Sequence, residues 1–261
     1  MTVQCIEKNN SAWPIDPFTR SPVTRRCYHR VKKIYCDAAV QVSHAFVYDV
    51  LGRDSDPERD AERTFIRARE KLKWRCIALR ADHLLTLTYR QNVADLEESR
   101  KHLRLFWKLV KRNIDGFRFV GVAERQERGA VHWHLGLHGF HDVALLRRIW
   151  SGVIAVDGYD GNIDIQFFHG KSSERIGSYI SKYLFKGFEA SLEGERPRYS
   201  HYYVTSRGLV FETLTFHAFG YSDGEIAGFC ESLLTSEGAR VRTRWRMRGG
   251  ELVQSGGLRS W

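Results

Sequence analysis

Ala130-Val131-His132-Trp133-His134-Leu135-Gly136-Leu137-His138 is the stretch from which the fold can be read outward. Its apolar and β-branched content reads as a β-strand. Side chains alternate faces along a strand, so His132 and His134 project from the same side. The preceding run, Phe117-Arg118-Phe119-Val120-Gly121-Val122-Ala123-Glu124, reads as a second strand. Between them, Arg125-Gln126-Glu127-Arg128-Gly129 is polar and ends in glycine, as a hairpin connection should. A hairpin folded about residue 128 sets Glu124 opposite His132, on the same face, with Cβ atoms about 5 Å apart. One carboxylate and two imidazoles then converge. That mixed oxygen and nitrogen set suits Mg²⁺ or Mn²⁺ acting on phosphate oxygens. Gln126 is a rival third ligand that falls in the turn. His138 shares the parity of the pair but lies farther along the strand, at its polar edge.

Ser173 to Gly187 form the next constellation. Ile176, Ile180 and Leu184 recur at helical spacing, with Gly187 as a stop. Tyr179 and Tyr183 are four apart on one helical face, with Lys182 beside them. A phenol oxygen can attack a phosphodiester and form a covalent intermediate. A neighbouring cation can stabilise charge on the phosphate oxygens.

The elements read from residue 83 onward are a strand near 83–89, an amphipathic helix with Leu96, Leu103, Phe106, Trp107 and Val110 on one stripe, the hairpin at about 117–138, a helix near 142–152 and a strand near 162–168. This β-α-β-β-α-β order predicts an α+β, ferredoxin-like (split βαβ) antiparallel sheet with helices on one face. The other face is then expected to be free for metal and DNA. Three stretches are expected: a basic extension over 1–80 with a charged helix at 57–75, an endonuclease domain over 81–215, and a basic tail over 216–261. Residues 1–55, with Pro14, Pro17 and Pro22, read as irregular.

Together these motifs resemble the HUH endonuclease superfamily, the rolling-circle replication initiators (Rep proteins) of phage and plasmid type. His132-Trp133-His134 is similar to its His-hydrophobic-His motif, and Tyr179-Ile180-Ser181-Lys182-Tyr183 to the Tyr-x-x-Lys-Tyr motif of its two-tyrosine branch. Leu84-Leu85-Thr86-Leu87-Thr88-Tyr89 resembles the threonine-rich first motif. Many relatives place a glutamate eight residues before the first histidine, as Glu124 stands here. Ser206-Arg207-Gly208-Leu209 looks like a recurring tail of phage-type initiators, a weaker match. The resemblance spans roughly residues 83 to 188. It implies an enzyme that nicks one DNA strand at an origin, forms a 5′-phosphotyrosine and a free 3′-hydroxyl primer, and later rejoins strands. It implies Glu124, His132 and His134 as metal ligands for Mg²⁺ or Mn²⁺, Tyr179 and Tyr183 as nucleophiles, and Lys182 beside the phosphate. A free phenol is mostly protonated at neutral pH, so nicking is expected to rise with pH.

Composition agrees with a globular nucleic-acid enzyme. The 261 residues include 43% hydrophobic and 13% aromatic residues, enough for a packed core. The formal charge of +10, from 41 Lys+Arg against 31 Asp+Glu, favours a polyanionic partner such as single-stranded or origin DNA. Cations and aromatics interleave at Arg20, Arg25, Arg26, Tyr28, Arg30, Lys32, Lys33 and Tyr35, and again from Arg240 to Arg248 around Trp245, a pattern suited to single strands. Five scattered cysteines, with no Cys-x-x-Cys pair, argue against a disulfide framework or a thiolate zinc site. No apolar run has the length of a membrane span, and Met1 to Asn10 lack a signal-peptide core. A cytoplasmic protein of a bacterial host cell is expected. Gly170-Lys171-Ser172-Ser173 mimics the end of a P-loop, but Ile165 stands where the motif needs glycine. Unwinding and extension are then expected from a host helicase and DNA polymerase. Rival readings are a two-tyrosine transposase, a non-catalytic ferredoxin-like nucleic-acid-binding module, and a metal hydrolase that uses water.

Overall fold

The computed structural model describes residues 2–7, 25–50, 57–168, 173–192, 203–235, 240–248 and 251–257. The strands are β1 (Thr2–Glu7), β2 (Arg25–Cys36), β3 (Ala39–Val50), β4 (His83–Tyr89), β5 (Phe119–Arg125), β6 (Val131–Leu137), β7 (Gly161–Phe167), β8 (Val204–Thr205), β9 (Glu212–Phe219), β10 (Arg240–Arg248) and β11 (Glu251–Gly257). The helices are α1 (Pro57–Leu79), α2 (Leu96–Asn113), α3 (Val143–Ala155), α4 (Ser173–Leu192) and α5 (Asp223–Thr235). Two compact units divide the chain: Pro57–Leu209, and Met1–Asp56 together with Val210–Trp261. Helix α1, expected as part of an N-terminal extension, therefore belongs with the central unit.

In the central unit the sheet order is β7-β4-β6-β5-β8, antiparallel throughout. The first four strands carry the split βαβ order expected from the sequence, and the two-residue β8 extends the edge. Asp95 caps α2 by accepting from the Glu97 N–H at 2.8 Å, and Glu97 and Glu98 complement the positive end of the helix. Asp142 caps α3 in the same way, accepting from Ala144 and Leu145.

The two faces of the sheet are filled differently. Odd-numbered residues of β4 and β6, among them Leu85, Leu87, Tyr89, Trp133 and Leu135, pack with Leu103, Phe106 and Val110 of α2 and Leu146, Trp150 and Val153 of α3. The opposite face is not open as expected. Phe65, Leu72, Cys76 and Leu79 of α1 and Ile176, Ile180 and Leu184 of α4 bury Leu84, Val120 and Val122 on it. Gly136 lets α4 sit close, since a Cβ there would stand 3.2 Å from Ile180 Cδ1. Helix α4 also runs through Gly187 rather than stopping there.

The other unit is not irregular at its N-terminal part. Its strands form a sheet in the order β1-β9-β2-β3-β11-β10. Val31, Val40, Val42, Phe216 and Ala218 pack beneath Ile226, Cys230 and Leu234 of α5. The expected cationic and aromatic clusters lie on β2 and β10. Arg20, and the side chains of Arg25, Arg26, Tyr28 and residues 240–248, lie outside the described residues, as do Gly170 to Ser172. Among the described residues no helix is long and apolar enough to cross a membrane.

Candidate active site

The hairpin closes as its sequence requires. Gln126 N–H donates to Ala130 O at 2.9 Å, Gly129 N–H to Gln126 O at 2.8 Å, and Gly129 takes φ 89°, a left-handed value that glycine adopts without strain. The pairing sets Glu124 opposite His132 and Val122 opposite His134, the register expected from the sequence. The carboxylate reaches diagonally: Glu124 Oε2 lies 2.8 Å from His134 Nε2. His134 Nδ1 lies 3.3 Å from Thr86 Oγ1, its cross-strand neighbour on β4. One histidine is therefore held through both ring nitrogens, between a hydroxyl and a carboxylate.

His132 is different. It is 8% exposed, and its Nε2 has no hydrogen-bond partner. Burial lowers its pKa, the neighbouring His134 and the more distant Arg128 add to this, and Glu124 opposes it. A neutral buried imidazole with an unused lone pair is the form that ligates a metal. Among the described residues, no three His, Cys, Asp or Glu side chains stand grouped as a preassembled metal site. The donor set nonetheless fits a divalent cation: a carboxylate, an imidazole fixed by Thr86, and an imidazole nitrogen buried without a partner.

Helix α4 brings both tyrosines to this place. The Tyr183 ring stacks on the His134 ring with centroids 3.9 Å apart and planes at 8°. Tyr183 O–H donates to the Tyr179 hydroxyl at 2.8 Å. Burial holds the Tyr183 phenol above its ordinary pKa, and Tyr179 and the charge of Glu124 push the same way. Lys182 is exposed, with Nζ 5.6 Å from the centroid of the Tyr179 ring. The six expected residues thus fall into one neighbourhood: Glu124, His134, Tyr183 and Tyr179 in a chain of contacts, Lys182 on the rim, and His132 beside Glu124 across the strand pair.

Other expected residues lie elsewhere. Gln126 stays in the turn, its Oε1 accepting from Arg128 Nε at 3.3 Å. His138 stands beyond β6, its Nδ1 2.8 Å from Arg80 O. Ser206 does structural work: its Oγ accepts from Phe119 N–H, and its own N–H donates to Phe119 O, both at 2.9 Å. Sequence reasoning missed Thr86 as the partner of His134. The only signal was its place in a threonine-bearing strand, because the β4–β6 register is not encoded locally.

No curated protein and no solved structure matches the chain. Residues 82–188 match the model of a family described as Replication-associated protein ORF2, a span that holds Thr86, Glu124, both histidines, both tyrosines and Lys182 and that supports a Rep-type replication initiator.

Proposed function

We propose that this chain starts rolling-circle replication by nicking one DNA strand at an origin, becoming covalently attached to it and later rejoining strands. The observation that carries the reading is the 3.9 Å stack of Tyr183 on His134, which joins the phenol pair to the paired histidines; the family match over residues 82–188 supports it. Glu124, His132 and His134 would hold Mg²⁺ or Mn²⁺, which supplies polarisation of the scissile phosphate.

The remaining work belongs to the chain. Tyr179 or Tyr183 attacks phosphorus in line, so that a bond forms from the phenol oxygen and the bond to the 3′ oxygen breaks. The phenol loses its proton and the departing oxygen gains one. The products are a 5′-phosphotyrosine and a free 3′-hydroxyl, which a host DNA polymerase extends behind a host helicase. Attack by a 3′-hydroxyl on the phosphotyrosine reverses the step and seals the strand. Lys182 neutralises or orients the phosphate beside the phenols. Two phenols in mutual contact allow a second cleavage while the first linkage persists. The setting is the cytoplasm of a bacterial host.

The test is a covalent-adduct assay. Labelled single-stranded origin DNA is incubated with the full chain in Mn²⁺ or EDTA and run on a denaturing gel. A metal-dependent protein–DNA band that disappears in the Tyr179→Phe/Tyr183→Phe double variant is expected, and the single variants rank the two phenols. Cleavage without an adduct would replace this reading with a water-using hydrolase. Binding without cleavage would replace it with a nucleic-acid-binding module.

A further inference from the structure

Beneath the His132–His134 strand, on the face away from the site, lies a run of buried polar groups that the proposed chemistry does not use. Trp133 stands between the two histidines, and its side chain points to the α2 face, 1% exposed. Its indole Nε1–H donates to Ser99 Oγ of α2 at 2.7 Å. The Tyr89 hydroxyl of β4 lies 3.1 Å from the same Ser99 oxygen and 2.9 Å from His102 Nδ1. His102 Nε2 lies 2.8 Å from Asp157 Oδ2, in the turn between α3 and β7. Five side chains from four parts of the unit therefore form one continuous line of hydrogen bonds.

One proton arrangement satisfies the whole line. Trp133 donates to Ser99, Ser99 to Tyr89, Tyr89 to His102 Nδ1, and His102 Nε2–H to the Asp157 carboxylate; either hydroxyl of the Ser99–Tyr89 pair is able to donate. Burial and the charge of Glu98 hold the Tyr89 phenol above its ordinary pKa, against the bond to Ser99, so it stays a neutral donor. Ser99 is 0% and His102 3% exposed, on the stripe of α2 that is otherwise apolar. Buried polar groups on such a stripe add little stability over a well-packed apolar set, but they fix orientation when every member is satisfied. A leucine stripe tolerates sliding and rotation of a strand over a helix, whereas a directed N–H···O bond to Trp133 does not.

We propose that this line positions the candidate site from behind: with Trp133 locked, the backbone on either side of it, and hence the projection of His132 and His134, is set. Tyr89, Ser99 and His102 are then positioning residues, and Asp157, half exposed, anchors the line at the surface. The functional meaning rests on the proposed role of the two histidines, but the geometry is testable without metal or DNA.

The experiment compares imidazole Cε1–Hε1 resonances of the metal-free full chain in Ser99→Ala, Asp157→Asn and a control, Phe106→Leu, which loosens the same core without touching the line. The His134 resonance reports on its stack with Tyr183 through ring-current shift. It is expected to move by more than its line width in Ser99→Ala and Asp157→Asn and to stay in place in the control. Should Ser99→Ala fail to fold, Asp157→Asn carries the comparison. A His134 resonance unmoved in the folded line variants, or moved as far in the control, overturns the proposal. In the adduct assay, the Mn²⁺ concentration giving half-maximal rate should rise several-fold in Asp157→Asn with DNA affinity unchanged. A wild-type chain that forms no adduct removes the nicking reading and leaves the resonance result standing.

Discussion

His132 is buried with an unpartnered ring nitrogen, an arrangement that costs about 1–3 kcal/mol when nothing completes it. Replacing it by leucine should leave the metal-free fold as stable or more stable in thermal melts. The same change should weaken Mn²⁺ binding by about tenfold or more, equivalent to at least about 1.4 kcal/mol, read by calorimetry or EPR. A loss of stability without loss of affinity would make His132 a packing residue. Arg80 shows strain of another kind. It ends α1 at φ 55°, a left-handed conformation unfavourable for side chains other than glycine. The Ala81 N–H reaches back to Cys76 O at 3.0 Å, which satisfies the helix end. Arg80→Gly should raise stability by about 0.5–1 kcal/mol in urea melts, because the steric penalty exceeds the added chain entropy.

Between elements, the α1–α4 contact is set by Gly177. A Cβ there would stand 3.0 Å from the Lys73 Cα and 3.3 Å from the Cys76 Cβ. Gly177→Val should cost about 1–3 kcal/mol and, by displacing α4, should lower adduct formation more than DNA binding. Asp82 secures the other end of the sheet. Its Oδ1 accepts from Gly139 N–H at 2.8 Å and from His83 Nδ1 at 2.7 Å. Partial burial raises its pKa, but the bonds from His83 and Gly139 and the nearby His83 and His138 charges outweigh that, so the net shift is downward from 3.8. A carboxyl depressed in the folded state stabilises above its unfolded value, and that stabilisation is lost as pH falls through the folded one. The stability gap between the wild type and Asp82→Asn should therefore be full near neutrality, shrink once pH drops past 3.8, and vanish below the folded value. Denaturant melts across that range measure it.

The chain as a whole divides in an order that its sequence does not follow. Strand β9 lies between β1 and β2, pairing in parallel with the first and antiparallel with the second. A chain ending at Leu209 loses this strand, so β1 should lose its only described partner, and circular dichroism should report less strand than the removed residues account for. A fragment of residues 57–209 keeps its own sheet, both of its cores and every candidate site residue. It should unfold in a single cooperative step, and a broad, non-cooperative melt would argue against an independent unit.

Local periodicity carried the central architecture. The alternation in β6, the polar turn at Arg125–Gly129 and the apolar stripes of α2 and α3 act over a few residues, so the β-α-β-β-α-β order and the Glu124–His132 register could be read from them. The same rules fixed which side of the strand His132 and His134 occupy. What they could not convey were contacts that depend on three-dimensional packing between distant segments. Thr86 meets His134 across 48 residues of chain, and Tyr183 stacks on His134 because α4 crosses the second face. Strand β1 finds β9 from the far end of the chain. No periodicity marks such pairings, since they are selected by the global burial of apolar faces and not by any local preference.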